Sequence, residues 1–326
     1  AGTDQFISAF SWIKNRDAAD NHMLFDRVRG ATKDMHSNTT AAEVTNVNTL
    51  QRFLEAGVQV GNNVEVNTVN ESYVLWNFMM EATGSGTLNE VGSIDSTVLV
   101  DTTLGMSVGT YSSTDNLAKT IGHGLGVKPQ MIITKPIDAV DGWAVYHSGL
   151  TTPATYKIKL HTTAAELSVG DVSWNATEPT TSVFSVKSDG ETGSTGRSFM
   201  FIAFAPSQFI SIGSYTGNAN TDGAFVPLLN SVGVPLQPVW SMLKVISGTT
   251  GSWVIQDAAR PGYNVMGGSL EADLSNVENT QASLDYVTGG LKLRTTSGNW
   301  NHAHPYLYLT IGTPIIDVDG RILAGR

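Results

Sequence analysis

The chain has 326 residues, a formal charge of −10, no cysteine, 33 glycines and only 15% charged residues, against roughly 25% in ordinary soluble domains. These figures exclude a disulfide scaffold, a thiolate metal site and a cysteine nucleophile, and the acidic balance argues against a nucleic-acid partner, which calls for a basic patch. No apolar run reaches the roughly 18 residues of a membrane-spanning helix, so no membrane insertion is expected, while the 41% hydrophobic content suffices for packed cores in two or three domains.

The opening Ala1-Gly2-Thr3-Asp4 has neither the positive n-region nor the apolar h-region of a signal peptide. Short runs rich in β-branched and aromatic residues then follow, separated by Gly, Asn, Asp and Ser, which is a strand signature. In order they are Trp12-Ile13-Lys14, Met23-Leu24-Phe25-Asp26, Gly57-Val58-Gln59-Val60 and Tyr73-Val74-Leu75-Trp76. The same order returns as Ile132-Ile133-Thr134-Lys135, Trp143-Ala144-Val145-Tyr146-His147, Ser182-Val183-Phe184-Ser185-Val186 and Phe199-Met200-Phe201-Ile202. It returns again as Ser241-Met242-Leu243-Lys244, Trp253-Val254-Ile255-Gln256-Asp257, Gly290-Leu291-Lys292-Leu293 and Tyr306-Leu307-Tyr308-Leu309. From each lysine to the end of its second run the offset is 12, 12 and 13 residues, and the lysines lie 121 and 109 residues apart. Self-similarity at that period implies domain-sized repeats.

Ser107-Val108-Gly109-Thr110-Tyr111 and Ser211-Ile212-Gly213-Ser214-Tyr215 match as lead-in strands to the second and third units. The first unit has no counterpart, so it is expected to be truncated or completed by another part of the protein. Residues 82–92 and 218–223 read as surface loops or connections. Val44, Val47, Leu50 and Leu54 follow a helical spacing, but Gly170 and Pro179 in the matching stretch argue against a long helix. Thr40-x-x-Glu43, Thr163-x-x-Glu166 and Ser275-x-x-Glu278 fit the capping box, which predicts one short helical turn per unit. The expected fold is all-β: three tandem β-sandwich or jelly-roll-like units. Residues 1–105 hold the first unit, incomplete at its start, plus a connector; 106–209 the second; 210–312 the third; and 313–326 a tail.

Several strings carry a further resemblance: Trp-Ile-Lys-Asn-Arg-Asp at 12–17, Leu-Phe-Asp-x-Val-Arg-Gly at 24–30, Thr-Thr-Ala-Ala-Glu-Val at 39–44, Gly-His-Gly-Leu-Gly-Val-x-Pro at 122–129 and Trp-Ala-Val-Tyr-His at 143–147. Together with Gly-Ser-Tyr-Thr-Gly-Asn at 213–218 they resemble a repeated module of tailed-bacteriophage virion proteins, mainly marine ones. The resemblance runs to about residue 312 and is weakest in the third unit, where Thr-Thr-Ala-Ala-Glu has become Ser275-Asn276-Val277-Glu278. It implies a tail fibre, spike or head appendage located in the virion, and it brings no catalytic residues with it.

Candidate sites are few. His302-Ala303-His304 would put two imidazoles on one strand face, without evident further ligands, so no metal is expected. Gly122-His123-Gly124-Leu125-Gly126 lacks the Lys-Ser/Thr of a phosphate loop and reads as a tight turn. Asp317-Val318-Asp319-Gly320 reads as a β-turn before a short strand at Arg321-Ile322-Leu323, because the remaining calcium-loop positions are missing. Asp17, Asp20, Asp26, Glu166, Asp171 and Asp257 show no recurring catalytic pair, and no serine nucleophile elbow is present. Trp143 and Trp253 align inside apolar runs and are expected in the core. Trp300, between Asn299 and Asn301, and Trp174, beside Asn175, are the expected exposed rings for stacking on a glycan.

The resulting expectation is a non-enzymatic virion protein without cofactors that displays loops to a host-surface glycan or protein. It would assemble with other virion proteins and with itself, as a homotrimer by analogy with fibres and spikes. A capsid or tail decoration protein and a polysaccharide depolymerase are the alternatives.

Overall fold

The apolar runs form strands, and among the described residues the only helical element is one 3-10 turn, Pro153–Thr155. The computed structural model describes residues 7–81, 84–260 and 264–316. Its first part contains β1 (Ile7–Asn15), β2 (Met23–Asp26), β3 (Lys33–His36), β4 (Val44–Thr45), β5 (Leu50–Leu54), β6 (Gly57–Val60) and β7 (Tyr73–Met80). They form an antiparallel sheet in the order β4-β3-β2-β1-β7, with β5-β6 as a separate hairpin. Phe53, Val58 and Val60 of the hairpin pack over Ile13, Met23 and Phe25 on one face of that sheet.

Next come β8 (Thr87–Asn89), β9 (Ser96–Asp101), β10 (Met106–Ser113), β11 (Lys119–Gly122), β12 (Met131–Pro136), β13 (Ala144–His147), β14 (Tyr156–Lys159), β15 (Leu167–Ser168), β16 (Val183–Val186) and β17 (Arg197–Phe204). The large sheet runs β15-β14-β13-β12-β17-β10-β9-β8, and β11-β16 covers it. The last group is β18 (Ile210–Thr216), β19 (Phe225–Pro227), β20 (Leu236–Val245), β21 (Val254–Asp257), β22 (Leu270–Glu271), β23 (Leu284–Val287), β24 (Gly290–Leu293) and β25 (Pro305–Pro314). Its large sheet runs β18-β25-β20-β21-β22, under the layer β19-β24-β23.

Each large sheet is thus one half of a β-sandwich with its own outer core. The opposite faces of all three large sheets meet in a shared core that includes Phe10, Trp12, Phe78, Met131, Ile202, Trp240, Met242 and Leu309. This explains the unbroken apolar run in β17. With a side-chain period of two, Phe199, Phe201 and Ala203 enter the outer core, and Met200, Ile202 and Phe204 enter the shared one.

The strand order recurs around β1, β12 and β20. Each pairs with a hairpin partner on one side (β2, β13, β21) and a long closing strand on the other (β7, β17, β25). Beyond the closing strand lie β10 and β18 in the second and third sheets, whereas β7 is the last strand of the first among the described residues.

Backbone hydrogen bonds close the three sheets into a ring. Glu43 N–H donates to Ile137 C=O at 2.8 Å, Glu166 N–H to Ile246 C=O at 2.9 Å, and Glu278 N–H to Arg16 C=O at 2.9 Å. These bonds correct the helical turns expected at Thr40–Glu43, Thr163–Glu166 and Ser275–Glu278. There the chain is irregular, because the backbone groups a helical turn would use are taken up by the neighbouring sheet. Thr40 C=O, for example, accepts from Asp141 N–H at 3.0 Å. The helical spacing of Val44, Val47, Leu50 and Leu54 is likewise coincidental: Val44 lies in β4, Leu50 and Leu54 lie in β5, and three of the four are exposed. Part of the expected connection at 82–92 is β8, which pairs with β9 and widens the second sheet. The turn and strand expected at 317–323 lie outside the described residues.

Candidate functional site

The two tryptophans expected at the surface are buried. Trp174 exposes 2% of its area, stands edge-on to Tyr146, and donates its indole N–H to Tyr156 C=O at 3.0 Å. Trp300 exposes 4% and belongs to the outer core of the third sheet, while its carbonyl accepts from Tyr215 Oη at 2.6 Å. Neither ring offers a face to a sugar. The polar neighbours misled: Asn301 is itself fully buried, and its amide nitrogen donates to Asn218 Oδ1, Asn220 C=O and Thr295 C=O.

The aligned lysines are also buried, and two of them serve as struts between sheets. Lys135 Nζ donates to Thr40 C=O and Asp141 C=O, joining the second sheet to the first. Lys244 Nζ donates to Thr162 C=O and Gly251 C=O, joining the third to the second. Lys14 Nζ donates to Asn15 C=O and Ala18 C=O. Burial lowers each of the three from 10.5 to about 8. The unfolded chain therefore holds more protons between about pH 8 and 10.5, and stability rises with pH in that interval. Buried tyrosines act in the opposite sense from pH 10 upward: burial raises Tyr306 to about 12 and Tyr111 well above 10. The expected urea midpoint climbs from pH 8 to about pH 10 and then declines. A midpoint that falls steadily from pH 8 would refute the strut assignment.

A second set of struts was legible only by extending the repeat alignment. Four residues before Asp26, His147 and Asp257 stand His22, Trp143 and Trp253. Trp143 Nε1 donates to His36 C=O in the first sheet, and Trp253 Nε1 donates to Lys159 C=O in the second, both at 2.9 Å. His22 occupies the matching place at the remaining junction. Its Nδ1 accepts from Trp12 Nε1 at 2.8 Å, which leaves Nε2 as the donor to Glu271 C=O at 3.0 Å.

The carboxylates are similarly engaged. Asp26 and Glu43 both bind Arg29, and Asp257 and Glu278 both bind Arg260. Glu166 accepts from the Thr151 amide and hydroxyl, Asp171 pairs with Lys187, Asp20 accepts from Asn15, and Asp17 accepts from Ser72 N–H. His302 and His304 lie 5.6 Å apart ring to ring, but no group of three potential metal ligands occurs among the described residues. The 122–126 segment is a turn with Gly124 and Gly126 at φ +75° and +72°. His123 fixes it by accepting from Leu125 N–H and donating to Thr180 C=O.

A cleft of about 690 Å³ opens between the β9-β10 face of the second sheet and Val28, Arg29 and Glu43 of the first. Thr97, Thr110, Ser112, Thr114 and Ser198 line it with hydroxyls. Its two carboxylates are the exposed Asp95 and Glu43, the latter held by Arg29. Such a wall can hydrogen-bond a polar ligand, but it does not bring two free carboxylates together.

These features define an antiparallel β-sandwich scaffold braced by buried polar struts. The chain belongs to the family described as a domain of unknown function (DUF7483), whose model matches residues 2–313. No curated protein and no solved structure matches it.

Proposed function

We propose that the chain is a non-enzymatic structural protein of a bacteriophage virion, a tail fibre, spike or head appendage that presents its surface to the host. The observation that carries this reading is the use of ionisable side chains: Lys135, Lys244, Arg29 and Arg260 tie sheets or their connecting segments together. The accessible cleft is left lined mainly by hydroxyls. A braced scaffold with a hydroxyl-rich surface suits weak, repeated contact with a glycan or protein. Assembly into a homo-oligomer would raise avidity by about 10²–10⁴ where geometry permits.

The test uses phage particles that carry the gene. A labelled antibody against the chain should decorate tails or appendages, and the purified protein should bind host cells and compete with adsorption. Labelling spread as a lattice over the head would assign a decoration role instead. Absence of both binding and competition would remove the attachment role, and release of reducing ends from host polysaccharide would make the protein an enzyme.

A further inference from the structure

Among the described residues the first sheet ends on an open strand, β7, where the other two sheets continue. Arg16 N–H donates to Ser72 C=O at 2.8 Å, so the alternation of an antiparallel ladder turns the amides and carbonyls of Tyr73, Leu75 and Asn77 away from β1. Alongside β7 runs a groove of about 340 Å³, lined by Leu75, Asn77, Met79, Leu104, Val239 and Trp240 among others. Trp240 exposes only 6% of its area, yet its indole Nε1 has no hydrogen-bond partner. A buried unpaired donor beside an open sheet edge indicates that something polar is missing there.

We propose that the β7 edge accepts an antiparallel strand in trans from another polypeptide, by β-augmentation. The two filled edges specify that strand. The registers place Trp76 in line with Ile202 and Leu309, and Phe78 with Phe204 and Ile311. Opposite those residues on the filled edges stand Val108 and Ile212, then Met106 and Ile210. In line with Leu75 are Phe201 and Tyr308, and each faces a glycine, Gly109 or Gly213. A Cβ on these glycines would approach the facing ring to 2.5 and 2.8 Å. In line with Tyr73 are Phe199 and Tyr306, which stack on Tyr111 and Tyr215 at 5.2 and 4.9 Å. The incoming strand therefore reads apolar-Ser-apolar-Gly-Ser/Thr-Tyr, with its apolar side chains over Phe78 and Trp76, its glycine at Leu75 and its tyrosine on Tyr73.

Residues 106–111 and 210–215, the two stretches of residues 1–326 that carry this pattern, are already built into sheets here and in a second copy, so neither supplies the strand, and the proposed donor is another polypeptide. This inference stands independently of host attachment.

The experiment uses the whole chain and a capped synthetic peptide, Ile-Ser-Ile-Gly-Ser-Tyr-Thr, copied from residues 210–216. The thermal midpoint should rise and saturate with peptide concentration, and the Leu75 and Asn77 amides should gain protection from hydrogen exchange. A peptide N-methylated at the amides facing β7 should bind at least tenfold more weakly, as should one carrying valine for glycine. Absence of a saturable response, or equal binding by the N-methylated peptide, would overturn the proposal. Binding that emerges only when residues 317–326 are deleted would assign the groove to the chain's own tail and overturn the donor in trans.

Discussion

Arg260→Met is expected to destabilise the protein by about 3–5 kcal/mol, the usual cost of stripping one partner from a buried ion pair. Arg260 lies against Trp76, with its guanidinium 5.4 Å from the ring, and binds Asp257 through Nε and Glu278 through a terminal nitrogen. Asp257 also accepts the Trp76 indole N–H at 2.8 Å, and Glu278 reaches on to Arg16 at 2.7 Å. Removing the guanidinium leaves a buried carboxylate facing an aromatic cluster at the junction that closes the ring of sheets. Adding Asp257→Asn should recover part of the loss, because the amide oxygen still accepts from Trp76 while the uncompensated charge disappears. Lys187→Met, which breaks the more exposed pair with Asp171, should cost far less, because solvent screens that pair. Chemical denaturation of the three variants ranks these effects, and equal costs for Arg260→Met and Lys187→Met would refute the argument. The second sheet shows that the charge is dispensable when both partners change together. His147 and Leu150 stand where the other sheets carry Asp26 with Arg29 and Asp257 with Arg260, and Glu166 is held by Thr151 instead.

What the sequence made legible was local. Trp143-Ala144-Val145-Tyr146-His147 and its counterparts are strands because alternation and β-branching act within a few residues. The lysine offsets mark β1, β12 and β20 for the same reason. The role of those lysines was hidden, because their acceptors, such as Thr40 and Thr162, lie on other sheets. Thr40-x-x-Glu43 shows the same limit from the other side. A local capping signature lost to an acceptor at Ile137, which becomes available only once the sheets meet. Trp300 was misplaced because asparagines usually signal solvent, whereas Asn301 spends its amide on three buried acceptors. His22 was recoverable in principle, since the repeat alignment sets it against two tryptophans, but an imidazole does not look like an indole until both are seen to donate to the same place.

That equivalence makes His22 the centre of the second large effect, a loss of stability in acid. Burial holds its imidazole down from 6.5 to about 3, with the charge of Lys14 adding to the shift. Burial holds His147 at about 4. Both are neutral in the fold, so as pH drops below 6.5 the unfolded chain takes up protons first, and stability is progressively lost toward pH 3. Asp34 and Asp273 oppose this, because burial raises both carboxyls, Asp34 to about 6, so the fold gains from them as pH falls toward 3.8. Burial also lowers His36, His123 and His161, so the buried histidines outnumber the two carboxyls, and stability falls between pH 7 and pH 4. His22→Gln retains an acceptor for Trp12 and a donor for Glu271 but cannot be protonated in this range. It should cost about 1 kcal/mol at pH 7 and flatten the acid limb of the profile. His22→Ala leaves the Trp12 indole N–H buried without a partner and opens a cavity, so it should cost about 3 kcal/mol at neutral pH. Denaturant titrations from pH 7 to pH 4 compare the three proteins, and an acid slope in His22→Gln as steep as in the parent would show that His22 is not the sensor.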